Sequence, residues 1–274
     1  KHLISKKSHI YTHANSFLPY ISPLKQKVLM ASLIYNASGM LEDIRPGSAD
    51  IAIYAGQQVP FITGSQLQRY AGIIYSESSF LGLARQINPA NPSREMEREC
   101  FAIAVTMYNY TRAKGAAFQR AGRFYGLNEL LVDSGYTKGI NSPKFTEYFS
   151  AGGDESKRRL ATLAVIRLFM RQFWGFEDVL QSLQGAQYWD GNDLFRRFRD
   201  HYRAKHGFEL SNPLHGRLYQ NVTVIQGAQI ISSCVASEPA VKARRQFTFM
   251  STITLGGTIF FRLHPQAAAQ GITW

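Results

Sequence analysis

The run LATLAVIRLFM at 160–170 constrains the fold most, because the helix it would form carries apolar side chains on almost every side. Such a helix is stable in water only when other elements surround it. The run is too short to cross a bilayer, and it contains Arg167. It therefore predicts a central core helix, for which Asp154 is a suitable N-terminal cap.

Apolar residues recur with a helical period in four further segments. The spacing predicts helices over 24–38 with a stop at Gly39, from a cap at Thr63 or Ser65 to Glu77, from a cap at Ser93 to a stop at Gly115, and over 194–206.

The pattern changes near the C-terminus. The stretch QFTFMSTITL at 246–255 alternates apolar residues with threonines, which predicts a strand with its threonine side towards solvent. Gly256-Gly257 is a hairpin turn, and TIFFRL is the return strand. We predict a mostly α (α+β) fold, with one helical domain over 1–274 and a small C-terminal antiparallel hairpin.

The chain carries a formal net charge of +12, with a pI of about 9.8. Such a surface attracts polyanions, namely nucleic acid, an anionic membrane or an anionic cell-wall glycan. The arginine-rich side of 196–205 is either a solvated helix face or part of such a surface. No signal peptide or membrane span is visible, and the first residue is Lys1, so we expect a piece of a longer protein.

The sequence lacks the short motifs of several enzyme and nucleotide-binding classes. GxGxxG, GxxxxGK[ST], GxSxG and HExxH are all absent, and the seven histidines are scattered. We predict no metal site and no cofactor. Two cysteines, Cys100 and Cys234, are too few for a disulfide framework, and the sequence leaves their pairing open.

The stretch YAGIIYSESSF at 70–80 ends an apolar helix on a carboxylate, Glu77. One interpretation is a solvated helix end. The other is a general acid, because an apolar wall raises the pKa of a carboxyl group by desolvation and keeps it protonated. Cleavage of a glycosidic bond needs an acid of this kind.

Three segments carry a resemblance. ESSF resembles the Glu-Ser motif of lysozyme-like lytic transglycosylases and muramidases. EMERECFAIAVTMYNYTRAKG and GAQYWDG resemble, in the same order, segments of cell-wall hydrolases of the spore-cortex type. The likeness spans about 70–195 and implies that the domain over 1–274 is a lysozyme-like peptidoglycan hydrolase, with Glu77 as the general acid. It also implies substrate contacts from the four residues Ser78, Asn109, Tyr188 and Trp189. The family's Asn-Arg pair is Asn109-Tyr110 here, so no role is carried to Tyr110.

The stretch YWDGND contains two candidates for a second catalytic acid. Asp190 and Asp193 lie beside two aromatic rings suited to stacking on sugar. Asp193 is equally suited to cap the helix over 194–206, and Asp190-Gly191 is ordinary turn chemistry. Tyr188 and Trp189 are equally suited to a core. These alternatives stay open.

The resemblance thus implies a muramidase that cleaves between N-acetylmuramic acid and N-acetylglucosamine. The alternatives are a lytic transglycosylase acting on the same bond and a non-catalytic module that binds a polyanion. We expect peptidoglycan strands as the partner and no specific nucleic acid. A looser likeness to lysozyme-like modules of secreted antibacterial toxins implies delivery to the periplasm or cell wall by a parent protein, with a cognate inhibitor or immunity protein.

Overall fold

The computed structural model describes residues 31–47, 49–191, 208–209 and 249–269. Helices fill most of the middle of the chain: α1 (Gly64–Glu77), α2 (Leu81–Ile87), α3 (Pro92–Arg120), α4 (Leu127–Leu130), α5 (Pro143–Tyr148), α6 (Glu155–Met170) and α7 (Glu177–Leu183), with α8 (Pro265–Ala269) near the end. The strands are β1 (Ala31–Tyr35), β2 (Leu41–Pro46), β3 (Ile51–Tyr54), β4 (Gln57–Gln58), β5 (Tyr188–Gly191), β6 (Phe208–Glu209), β7 (Phe249–Leu255) and β8 (Thr258–Leu263). The predicted mostly helical α+β class is confirmed.

Helix α6 is the central core helix that its apolar run predicts. It packs against both α1 and α3, and Ala161, Val165 and Ile166 are completely buried. Asp154 caps the helix by accepting a hydrogen bond from the Lys157 backbone N–H at 3.0 Å. The predicted cap is therefore confirmed.

Helix α1 begins at a capping box. The Thr63 hydroxyl accepts from the Gln66 backbone N–H, and the Gln66 side chain accepts from the Thr63 N–H. Of the two predicted caps, Thr63 is the one used. The helix buries Leu67, Tyr70 and Ile74 before it ends at Glu77.

Helix α3 is longer at both ends than predicted. Asn91 is the cap instead of Ser93, because Pro92 occupies the first helical position. Gly115 does not end the helix, which continues to Arg120. A Cβ at Gly115 would lie 2.8 Å from the carbonyl oxygen of Tyr125, so the glycine allows a close approach of backbone within the helix.

The predicted helix over 24–38 is wrong where the structure describes it, because residues 31–35 form strand β1. The order of the N-terminal sheet is β2-β1-β3-β4, with β1 antiparallel to β2 and parallel to β3. Pairing on both sides outweighs the helical spacing of Leu33 and Ile34, whose side chains also suit a strand. Gly39 (φ +81°) lies in the turn between β1 and β2.

The C-terminal hairpin is confirmed. Strands β7 and β8 are antiparallel around Gly256 and Gly257, both at positive φ, within a sheet of order β5-β8-β7-β6. The predicted solvent-facing threonine side is wrong. Thr252 and Thr254 are 0% and 9% exposed, because helices cover the hairpin.

Two further findings bear on the predictions. Within the described residues, no helix combines the length and apolar character that a membrane crossing requires. The predicted helix over 194–206, with its arginines, lies outside the described part of the chain.

Candidate functional site

Glu77 is held at the end of α1 by groups from two other parts of the chain. Its Oε1 accepts hydrogen bonds from the Thr137 hydroxyl and, at 2.7 Å, from the Gly139 backbone N–H. Its Oε2 accepts a longer one, at 3.4 Å, from Trp189 Nε1. The residue is half-buried. The carboxyl group is thus fixed in orientation but still partly open to solvent.

The two donors to Oε1 come from the 3₁₀ turn Lys138–Asn141 and from the residue that precedes it. Thr137 caps this turn, and its hydroxyl also accepts from the Gly139 N–H at 3.1 Å. A Cβ on Gly139 would lie 2.5 Å from Glu77 Oε1. Glycine is therefore required here so that the backbone can approach the carboxylate.

Trp189 brings the predicted aromatic segment to Glu77. Its ring meets Tyr136 edge-on, with centroids 5.2 Å apart, and Tyr136 stacks on Tyr110 at 3.7 Å. The Tyr136 hydroxyl donates to the Gln187 carbonyl at 2.8 Å. These contacts fix the indole, whose Nε1 reaches the carboxylate.

Asn109 and Tyr188 pack around the segment that carries Trp189. The Asn109 side chain donates to the Ala186 carbonyl at 3.1 Å and so ties α3 to the segment before β5. Tyr188 is 7% exposed and stacks on Phe261, with centroids 5.6 Å apart. Of the alternatives for Tyr188, its position supports a core residue.

Two further predicted site residues, Ser78 and Asp190, differ from Trp189 in their settings. Ser78 is 3% exposed, so its side chain is not at the surface where a substrate would bind. Asp190 follows Trp189 in β5, and neighbouring side chains of a strand point to opposite faces. Its Oδ1 accepts from the Gly191 N–H at 3.0 Å, as in a turn. Asp193 lies outside the described residues.

Two buried charged residues beside the site have no place in the sequence prediction. Glu99 of α3 is completely buried, and it accepts from the Ser79 N–H at 3.1 Å, the Ser79 hydroxyl at 2.8 Å and the Thr258 hydroxyl at 2.5 Å. Lys157 of α6 is 5% exposed and donates to the Ser78 carbonyl at 2.7 Å. Both therefore contact the residues that follow Glu77.

A signal for Glu99 was available in the sequence. Met96, Cys100 and Ile103 form the apolar stripe of α3, and Glu99 lies on the same stripe, three residues after the first and four before the last. An acid on a buried face needs hydrogen-bond donors. The burial of Lys157 is harder to predict from the sequence, because residues in the first turn of a helix are usually exposed.

Burial raises the pKa of Glu99 to about 7, although hydrogen bonds from Thr258 and Ser79 and the charge of Lys157 act in the opposite direction. Below pH ~4.5 this carboxyl is protonated in both folded and unfolded chains. As pH rises through about 7 the folded state loses stability, because its proton is bound more tightly than in the unfolded chain. We therefore expect Glu99→Gln to gain melting temperature relative to wild type between pH 5 and pH 8.

Thermal melting of both proteins across this range provides the measurement. The other titrating groups are common to the two, so the pH dependence of the difference reports residue 99 together with Lys157, whose pKa is coupled to it. Parallel curves from pH 5 to pH 8 would contradict the prediction.

Among the described residues, no group of three His, Cys, Asp or Glu side chains is arranged to hold a metal ion. Cys100 is buried in α3, and burial raises the pKa of its thiol to about 12. Cys234 lies outside the described part. Comparison of the chain with protein-family models, with curated proteins and with solved structures finds no match.

Proposed function

We propose that the chain is a peptidoglycan glycoside hydrolase, with Glu77 as the general acid that protonates the oxygen between N-acetylmuramic acid and N-acetylglucosamine. The observation that carries the proposal is the unequal setting of the two carboxylate oxygens. Oε1 accepts two hydrogen bonds, whereas Oε2 has one long contact with Trp189. Oε2 is therefore the less occupied of the two oxygens, and we assign to it the contact with the leaving oxygen.

The proposed reaction follows from this arrangement. Oε2 gives its proton to the bridging oxygen while the bond from that oxygen to the anomeric carbon breaks. The positive charge that develops on the sugar ring lies beside the carboxylate that remains. The donors from Thr137 and Gly139 hold that carboxylate in place.

Two versions of the reaction differ in the nucleophile that attacks the sugar after the glycosidic bond breaks. If a carboxylate activates water, the products carry reducing ends. If the sugar's own hydroxyl attacks the anomeric carbon and gives its proton to the Glu77 carboxylate, as in a lytic transglycosylase, the products carry anhydro ends. The alternation of β5 turns Asp190 away from the face of Trp189 and favours the second version, whereas Asp193 remains a candidate for the first.

Mass spectrometry of peptidoglycan digested by the chain tests the proposal. Reducing ends support a muramidase and anhydro ends a transglycosylase. Undigested glycan would overturn both and favour the non-catalytic polyanion-binding module that a net charge of +12 also suits. We further propose that the chain acts at the bacterial cell wall or in the periplasm, with glycan strands as its partner and a cognate immunity protein as its inhibitor.

Gly139→Ala should lower lysis strongly without unfolding the chain. The new Cβ would overlap Ser76 Oγ as well as Glu77 Oε1, so either these two side chains or the 3₁₀ turn must move. Misplacement of a catalytic group by about 1 Å can cost about 10²-fold in rate. Turbidity loss of a peptidoglycan suspension measures the effect.

Gly152→Ala is the matched control. Gly152 is exposed, and a Cβ there would meet nothing within 4 Å. Equal rates for the two alanine variants would show that the close approach of Gly139 to Glu77 has no role in lysis.

A further inference from the structure

Glu99 and Lys157 contact the same peptide group from opposite sides. The group joins Ser78 to Ser79: its C=O accepts from Lys157 Nζ at 2.7 Å, and its N–H donates to Glu99 Oε2 at 3.1 Å. The C=O and N–H of a trans peptide point in opposite directions. One peptide plane is therefore held between a buried ammonium group and a buried carboxyl group.

The charges match the dipole of this peptide group. Its negative oxygen faces the ammonium of Lys157, and its positive N–H faces the carboxyl of Glu99. Rotation of the plane by half a turn would place like partial charges together at both ends. When Glu99 is ionised, such repulsion is strong, because both residues lie in surroundings of low dielectric.

The C-terminal hairpin contacts Glu99 and the neighbouring Glu95. Thr258 donates its hydroxyl hydrogen to Glu99 Oε1, and Glu95 Oε1 accepts from the Gly256 N–H at 2.9 Å. Gly256 has φ +60°, and a Cβ there would overlap the Glu99 carboxyl group. The hairpin turn thus keeps Glu99 buried and correctly rotated.

The clamped peptide follows directly on the last turn of α1. The Ser78 N–H donates to the Ile74 carbonyl at 2.9 Å, so Ser78 closes the helix that ends with Glu77. Rotation of the next peptide plane would be transmitted through Ser78 to Glu77, whose oxygens have to meet donors from Thr137, Gly139 and Trp189.

We propose that Glu99 and Lys157 are positioning residues that clamp the Ser78–Ser79 peptide plane and so set the direction of the Glu77 carboxyl group. The effect on catalysis rests on the proposed function, whereas the clamp itself does not. Neither residue touches substrate, since Glu99 is 0% and Lys157 5% exposed.

Glu99→Met and Lys157→Met keep side-chain length but remove the hydrogen-bonding groups. We expect each to lower kcat on soluble peptidoglycan oligomers by about 10–10²-fold, with KM unchanged, because the acid is misdirected while the binding surface is retained. Glu99→Gln should restore most of the rate relative to Glu99→Met. Its amide oxygen can accept from the Ser79 N–H, and its NH₂ can donate to the two hydroxyl oxygens.

The control for a general disturbance of α3 is Thr106→Val, because Thr106 is also completely buried and its hydroxyl lies outside this network. Arg120→Met, at an exposed arginine at the end of α3, is the control for lost charge. All rates are compared at a temperature at which melting curves show every variant folded. Wild-type kcat in both Glu99→Met and Lys157→Met would overturn the proposal.

Hydrogen exchange over peptides covering 76–82 tests the clamp without activity. Glu99→Met should speed exchange of the Ser79 amide at least tenfold, and Glu99→Gln should not. Unchanged exchange in Glu99→Met would overturn the clamp even if the variant folds less well. Faster exchange supports the clamp independently of lysis, whereas an inactive wild-type chain would overturn the proposed function alone.

Discussion

Glu77→Gln should reduce peptidoglycan lysis by about 10²–10⁴-fold, the range that general acid catalysis typically contributes. The amide oxygen can replace Oε1 and accept from Thr137 and Gly139. The NH₂ then lies where Oε2 was, facing the Trp189 N–H, and has no proton acidic enough for the leaving oxygen. Turbidity loss measures the rate, and thermal melting should show a folded protein.

Glu177→Gln is the matched control, because Glu177 is an exposed acid in the first turn of α7. It should lyse at the wild-type rate. Sedimentation with purified sacculi should show that Glu77→Gln still binds. Wild-type lysis by Glu77→Gln would return Glu77 to the other interpretation of its sequence, an ordinary helix end.

Phe101→Ala should destabilise the fold strongly. Phe101 is completely buried in α3, and its ring lies 4.4 Å from that of Phe176 and 6.1 Å from that of Phe173, centroid to centroid. Truncation removes apolar contacts and leaves a cavity, at a typical cost of about 3–5 kcal/mol in the free energy of unfolding. For a chain of this size, the melting temperature should fall by roughly 6–20 °C.

Trp174→Ala provides the comparison, since it removes a larger aromatic side chain that is 90% exposed. It should shift the free energy of unfolding by no more than about 0.5 kcal/mol. Similar melting temperatures for the two variants would mean that Phe101 packs less tightly in solution than in the structure.

The helices of the site could be predicted from local rules. Thr63 and Asp154 are caps whose side chains act on the next turn, and the apolar faces of α1 and α6 repeat with the helical period. The resemblance also selected two segments, around Glu77 and around Trp189, that are in contact. Local pattern and order along the chain were sufficient for these features.

The errors have causes that act over longer distances. Strand β1 follows a helical spacing, but pairing with β2 and β3 decides its conformation. Gly115 is predicted to end α3, but it lies within the helix, where the backbone of Tyr125 packs against it. Ser78 stands next to Glu77 in the motif, yet the end of α1 turns it inwards. In each case tertiary packing outweighs the local preference.

The hydrogen-bond partners of Glu99 could not be predicted from the sequence pattern. The sequence places it on the buried stripe of α3, but its partners Ser79 and Thr258 lie 20 and 159 residues away. No local rule joins three such positions. A search for charged residues on apolar stripes would have marked Glu99 as a residue in need of donors, without identifying them.

The hydrogen bond from Thr258 to Glu99 also has a kinetic consequence. Contacts between residues far apart in the chain form late, because closing a long loop costs entropy before the contact stabilises it. Helix α1, with its local cap, can form early. The end that carries Glu77 gains its hairpin support only when the segment around Thr258 has been synthesised and docked. A folding intermediate without the hairpin should therefore contain α1 but lack the aligned acid, so that lytic activity should appear only in the last phase of refolding.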